Sequence, residues 1–268
     1  MTGAAPAGAA PRHVVATRYV AALREGGSLP GLVEADDDGM YVVKFRQAGQ
    51  GPRVLIAELL CGLLGQALGL PIPELVLIDV AADLGRNEPE SEIRDLVTRS
   101  AGLNLGVDHL PGALAFDSID APRVAPWLAS AIVWFDAYVL NVDRTARNTN
   151  LLWWHRTLQV IDQGAALYVH FTWDDPAGRS RSRFSPIRQH VLLAMASEIE
   201  AVDRQFAARI DAPSLDAILA QVPDDWLSDR DPRPPADVRR AYREFLLARL
   251  AARHLFVEEI VHARTHHV

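Results

Sequence analysis

Hydrophobic positions along the chain fall into two regimes. Between residues 14 and 45 they alternate at strand spacing, interrupted by a glycine-rich turn at 24–31. Leu32-Val-Glu-Ala, the turn Asp36-Asp-Asp-Gly39 and Tyr41-Val-Val-Lys-Phe45 read as a hairpin. A helix is expected to open after Gly51, with Pro52 in its first turn, and to stop at Gly69. Residues 73–80 and 103–110 are further strand candidates, and the second is also placed to hinge two lobes. Residues 83–100, polar and broken by Gly85 and Pro89, read as an exposed connector or a polar helix.

Beyond this point helical spacing takes over. Leu128, Ala131, Ile132, Phe135 and Val139 share one face of a helix opened by Pro126. Two short strands, 151–154 and 158–161, follow across a tight turn, and helices are expected over 187–210, 214–221 and 236–264. No internal repeat is visible. The predicted architecture is α+β and bilobal: a disordered tail at 1–12, a β-rich lobe with one key helix at 13–108, and a mainly helical lobe at 109–268.

Composition narrows the class. Of the 268 residues, 49% are hydrophobic and 23% charged, which fits a globular chain able to bury a core without disulfides. The net charge of −7 argues against broad nucleic-acid binding. The single cysteine, Cys61, rules out an internal disulfide or a cysteine-based zinc site and suits a cytoplasmic protein. The first dozen residues lack the apolar run of a secretion signal. Residues 54–72 are apolar over a membrane-helix length, but Glu58, Gln66, three glycines and the Pro71/Pro73 stop favour a buried soluble helix. Of 27 basic residues, Lys44 alone is a lysine. An ammonium is a compact point charge where guanidinium is a planar fork, so the exception marks a position to follow.

Taken singly, Lys44 is compatible with a surface strand position. Glu58 changes that reading, because it is the only charged residue between Val54 and Pro73. A carboxylate near a core needs a partner, unless it reaches solvent, and the nearest strand cation is Lys44. A strand lysine paired to a glutamate on the following helix is the arrangement that clamps nucleotide phosphates in protein kinases. The second constellation is Asp143, Asn148 and Asp162-Gln-Gly164, spaced across a loop and a strand hairpin. Asp143 is suited to orient an acceptor hydroxyl and take its proton, while Asn148 and Asp162 offer neutral and anionic oxygens to a hard divalent cation. Gly164 is expected to let the chain turn sharply. Alone, the loop is also explained as a polar segment held by Asx turns.

These segments, with Ala101-Gly-Leu-Asn-Leu-Gly106 and Leu110-Pro-Gly-Ala113, resemble the HipA-like bacterial kinase family over roughly residues 23 to 190. The resemblance implies an atypical protein-kinase-like fold using ATP and Mg²⁺. It implies Lys44 on the phosphates held by Glu58, Asn148 and Asp162 on the metal, and Asp143 at the acceptor. The acceptor is expected to be a protein Ser or Thr. A small molecule on the same site, or a nucleotide-binding regulator without turnover, are the competing readings, and neither a membrane nor nucleic acid is an expected partner. A regulatory protein partner would be unidentified.

Several departures stand out. There is no Gly-x-Gly-x-x-Gly, which leaves Gly26, Gly27 and Ser28 as the candidate phosphate cover. Thr145 replaces the usual cation after the catalytic Asp, so Arg144 or Arg147 would have to meet transition-state charge or else serve as loop anchors. Asp136 is the expected anchor for one of these arginines. The basic segment 178–183 reads as a solvated loop or an acceptor-docking one, and His262 with His266 has metal-compatible spacing without a nearby carboxylate pattern.

Overall fold

The computed structural model describes residues 10–23, 29–229 and 231–266. Its first half is a five-stranded barrel. Strands β1 (Arg12–Ala22), β2 (Gly31–Ala35), β3 (Met40–Lys44), β4 (Leu75–Val80) and β5 (Gly102–Asp108) close in the order β1-β2-β3-β5-β4, with β4 returning parallel to β1. Register shifts within the long β1, at Ala16/Arg18 and Tyr19/Ala21, add the bend that closure requires. Alternation sorts the side chains. Tyr41, Val43 and Phe45 face an interior core with Val33, Val76 and Ile78, so Lys44 falls on the outer face. Helix α2 (Ser91–Arg99) adds Ile93, Leu96 and Val97 to that interior core, which is the apolar stripe hidden in the polar 83–100 segment. Most of segment 103–110 lies in β5, a full barrel strand set between β3 and β4, and residues 109–110 follow it.

Helix α1 (Pro52–Leu68) runs as the sequence predicts and ends at Gly69 in the left-handed conformation, φ 89°. It is buried on nearly every side. One face meets the outer barrel surface at Leu75 and Leu105, and the rest belongs to a second, larger core with the C-terminal helices. No basic residue of its own caps its last turn. Instead Arg209 donates to the carbonyls of Ala67 and Leu68 at 2.6 and 2.8 Å.

The centre of the larger core is α3 (Pro126–Val139), buried along most of its length. A small sheet of β6 (Leu114–Ala115), β7 (Leu151–Trp154) and β8 (Thr157–Val160) lies nearby, and β8 is tied back by Val160 N–H to the Pro71 carbonyl at 2.8 Å. Around them pack α4 (Pro176–Ser180), α5 (Ile199–Ala207), α6 (Ala212–Leu219), α7 (Asp224–Leu227), α8 (Pro235–Ala251) and α9 (His254–Thr265). No described helix is long and apolar enough to cross a membrane.

Two expected helices are broken. The 236–264 helix divides at Ala252-Arg253 into α8 and α9, which lets Phe256 pack edge-on against Trp134 while Ile260 joins the same core. The 187–210 helix shortens to α5, preceded by 3-10 turns at Ser185–Gln189 and Leu193–Met195. Its front section is diverted because His190 bridges Thr145 and Val191 N–H donates to the Arg144 carbonyl, leaving the helical ladder unavailable.

Arg249 on α8 is fully buried and donates to the carbonyls of Ala137, Tyr138, Ser180 and Ser182. Burial without a carboxylate partner lowers its pKa to about 10. Those carbonyls lie at or just past the C-terminal ends of α3 and α4, where the helical ladder runs out. Arg249→Met, which keeps volume but supplies no donor, is expected to lower unfolding stability by about 3 kcal/mol with an unchanged urea m value. An unchanged denaturation midpoint would contradict this role.

Candidate active site

Three elements deliver charge to one place. β3 ends at Lys44, the second turn of α1 carries Glu58, and the chain leaving β8 reaches Asp162. Lys44 Nζ lies 2.9 Å from Glu58 Oε2 and 2.7 Å from Asp162 Oδ1. Glu58 is buried behind the lysine, while the Asp162 side chain remains 43% exposed toward an open cleft. Burial alone would strip the Lys44 proton, but two carboxylates outweigh it and hold the ammonium above its usual range. Burial pushes Glu58 up despite Lys44, and the second carboxylate adds to the rise. Asp162 is pulled down, since Lys44 more than offsets its burial. One cation shared by two carboxylates leaves the cluster one negative charge in excess.

Asp162 sits at φ 56°, an uncommon conformation for a residue with a side chain. The sharp turn expected at Gly164 is therefore made by Asp162 itself. The need for glycine at 164 is spatial: an added Cβ would stand 2.8 Å from Val54 Cγ1 and 3.5 Å from Glu58 Oε2, between α1 and the charge cluster.

Asp143, Asn148 and Gly164 line the same cleft as Lys44 and Asp162, which opens to solvent. Asn148 Nδ2 donates to Asp143 Oδ2 at 2.8 Å, turning its own carbonyl oxygen outward from that bond. The donor set of Asp162 and Asn148, one carboxylate and one amide, is hard oxygen. It suits Mg²⁺, which binds through one or two carboxylates plus water and substrate phosphate and seldom through a closed protein cage. The local charge excess favours the same ion. Gly26, Gly27 and Ser28 lie outside the described residues.

A second charged cluster, fully buried, holds the loop that carries Asp143. Asp136 on α3 accepts from Arg144 Nε at 2.6 Å and from His190 Nε2 at 2.9 Å. The N–H of Leu192 donates to His190 Nδ1, so the ring carries its proton on Nε2 and is neutral, in line with burial lowering its pKa. Burial would raise the Asp136 pKa, yet Arg144 and His190 hold it below the usual range. Arg144 also donates to the carbonyls of Asn150 and Ile161 and to Gln163 Oε1. It is spent as an anchor, which removes it from the transition-state role open to it in the sequence. Asn141 completes the brace, donating to Asp136 Oδ1 and accepting from Asp143 N–H. Asp136 had a sequence signal, as a lone charge in an apolar helix. His190 had none, since only the tertiary pairing of 190 with 145 brings it here.

The remaining sequence candidates lie elsewhere. His262 and His266 stack on one turn of α9 with His266 Nδ1 against the His262 carbonyl, and no described group of three His, Cys, Asp or Glu side chains could hold a metal. In the 178–183 segment, Arg179 lies over Tyr168 and Arg183 pairs with Glu258. Asp136→Ala, which strands a buried guanidinium, is expected to destabilise by about 3–5 kcal/mol. Asp143→Asn, at a partly exposed loop position, is expected to stay within about 1 kcal/mol of wild type. Chemical denaturation checks both, and a stable Asp136→Ala protein would remove the bracing role.

Comparisons with known proteins bear on the fold and the family. A comparison with curated protein sequences finds no match. Among solved structures, the Helicobacter pylori proinflammatory kinase CtkA aligns with TM-score 0.54 at 12% identity, covering 95% of this chain and 97% of that one. The Golgi casein kinase, in a crystal structure with Mn and ADP bound, aligns with TM-score 0.47 at 12% identity over 97% of this chain and 75% of that one. The likeness to CtkA is one of fold, and an α+β fold shared with a kinase is what the strand, helix and loop placements describe. The sequence itself matches the HipA-like kinase family over residues 17–258, and the chain belongs to that family.

Proposed function

We propose that the protein is an ATP- and Mg²⁺-dependent kinase that transfers the γ-phosphoryl group to a hydroxyl, with a protein Ser or Thr as the acceptor. In this reading the barrel with α1 forms one lobe, the helical region from α3 onward forms the other, and the cleft between them takes the nucleotide. The observation that carries it is Lys44 held between Glu58 and Asp162 at the edge of a cleft that Asp143 and Asn148 also line.

Each residue has a task its surroundings support. Lys44 presents an ammonium fixed in position and in charge, able to bind phosphate oxygens without reorganising. Glu58 stops it from collapsing onto Asp162 alone. Asp143, steadied by Asn148 Nδ2 and by its own N–H on Asn141, keeps a carboxylate oxygen for the acceptor hydroxyl. As the acceptor oxygen forms its bond to the γ-phosphorus, the bond from phosphorus to the β,γ-bridging oxygen breaks, its electrons leave with ADP, and the hydroxyl proton passes to Asp143. Asn148 and Asp162 are the residues that would hold Mg²⁺, which when bound offsets the negative charge of the triphosphate.

Single-turnover transfer from γ-labelled ATP, scored for autophosphorylation and against protein and small-molecule hydroxyl panels, tests this reading. Asp162→Asn and Asp143→Asn are each expected to slow transfer by at least about 100-fold. Transfer at the wild-type rate by Asp162→Asn would overturn the metal assignment, and labelling only of small-molecule hydroxyls would overturn the protein acceptor.

A further inference from the structure

The loop between β3 and α1 has no part in the cluster described above, yet Ala48 and Gly49 form a wall of the same cleft. Its base is fastened from the buried side. Arg46 N–H donates to Asn104 Oδ1 at 2.8 Å and Gln47 N–H to Ser100 Oγ at 3.3 Å. Both anchoring residues are completely buried, and Asn104 Nδ2 donates to the carbonyls of Ser100 and Gly102, which fixes which way its amide faces. Two successive turns shape the tip, through Ala48 N–H to the Phe45 carbonyl and Gly51 N–H to the Ala48 carbonyl, each at 3.0 Å.

The amides of residues 46, 47, 48 and 51 are thereby used within the protein. Those of Gly49 and Gln50 donate to no acceptor among the described residues, and both residues are exposed. Gly49 has φ 53°, and a Cβ built on it meets nothing within 4 Å. A loop braced so firmly at its base, with two successive unspent donors at its tip beside a cleft, resembles the backbone concavities that bind anions. The charge balance explains why neutral donors are wanted there. Lys44 is already shared by Glu58 and Asp162, so one ammonium is insufficient for a triphosphate.

We propose that this loop is the phosphate-binding element of the cleft, with the Gly49 and Gln50 amides donating to terminal phosphate oxygens of a nucleoside triphosphate alongside Lys44. The inference rests on the nucleotide reading above and adds the element that recognises the phosphates. It assigns Gly49 two properties that a side chain would remove: a left-handed backbone and an open space at the cleft wall.

Titration calorimetry of the full chain with Mg-ATP and with adenosine tests it, using wild type, Gly49→Asp, Gly49→Ala and Lys44→Met, with thermal melts to verify folding. Gly49→Asp should weaken Mg-ATP by about ten-fold or more, the scale of one charge-assisted hydrogen bond, and leave adenosine within about two-fold. Gly49→Ala should show a smaller loss of the same selectivity. If Gly49→Asp binds Mg-ATP as wild type does while Lys44→Met does not, the loop assignment is overturned and the nucleotide reading stands. Equal weakening of both ligands would also overturn it, because the loop would then shape the pocket without holding phosphates. Wild-type protein that binds neither ligand overturns both.

Discussion

The buried ion pair between Lys44 and Glu58 is the constraint around which the front half of the molecule is organised. Removing two charges from water is costly, and their attraction repays it only when the geometry is held. Here the holding is structural. Alternation along β3 puts Lys44 outside the barrel, where α1 covers it, and α1 is itself clamped between the barrel wall and the larger core. The pair is incomplete as a charge-neutral unit because Asp162 also leans on Lys44. The excess negative charge therefore falls on the side of Asp162, the carboxylate that faces the cleft.

A second buried charge cluster repeats the principle deeper in the chain. Asp136 is the lone charge in apolar α3 and Glu58 the lone carboxylate in α1, and each pairs with a cation from outside its own helix. The Asp136 partners, Arg144 and His190, fix the loop that carries Asp143 and Asn148 and tie it to the segment after α4. Breaking either cluster uncovers an unpaired charge, so the two together specify one arrangement of strand, helix and loop. The position of the Asp143 carboxylate is thereby held by the fold itself.

Much of this was legible in sequence because it depended on local rules. Pro52 and Gly69 bracket α1, the hairpin at 32–45 follows from alternation and its Asp-Gly turn, and a lone Glu in an apolar helix demanded a partner. Lys44, Glu58, Asp143, Asn148 and Asp162 were found from spacing and order, and the structure brings all five together. What was hidden depended on tertiary pairing. His190 reaches Asp136 across 54 positions, and Arg249 reaches four carbonyls from a helix whose periodicity ran smoothly through the true break at Ala252-Arg253. Spacing marks Gly164 as a turn residue, and only the packed structure shows Val54 pressing on it. The barrel closure by a parallel β1–β4 pair also lay beyond periodicity, which reports strands but not their neighbours.

Lys44 is a compact ammonium at the meeting point of two carboxylates, where a planar guanidinium would not fit the same short contacts. Lys44→Arg keeps the charge and changes only its shape, so phosphoryl transfer by that variant in a single turnover is the decisive measurement. With the ammonium required, the rate falls at least about 100-fold in a protein that remains folded. Transfer at the wild-type rate would show that the shape of the cation does not matter.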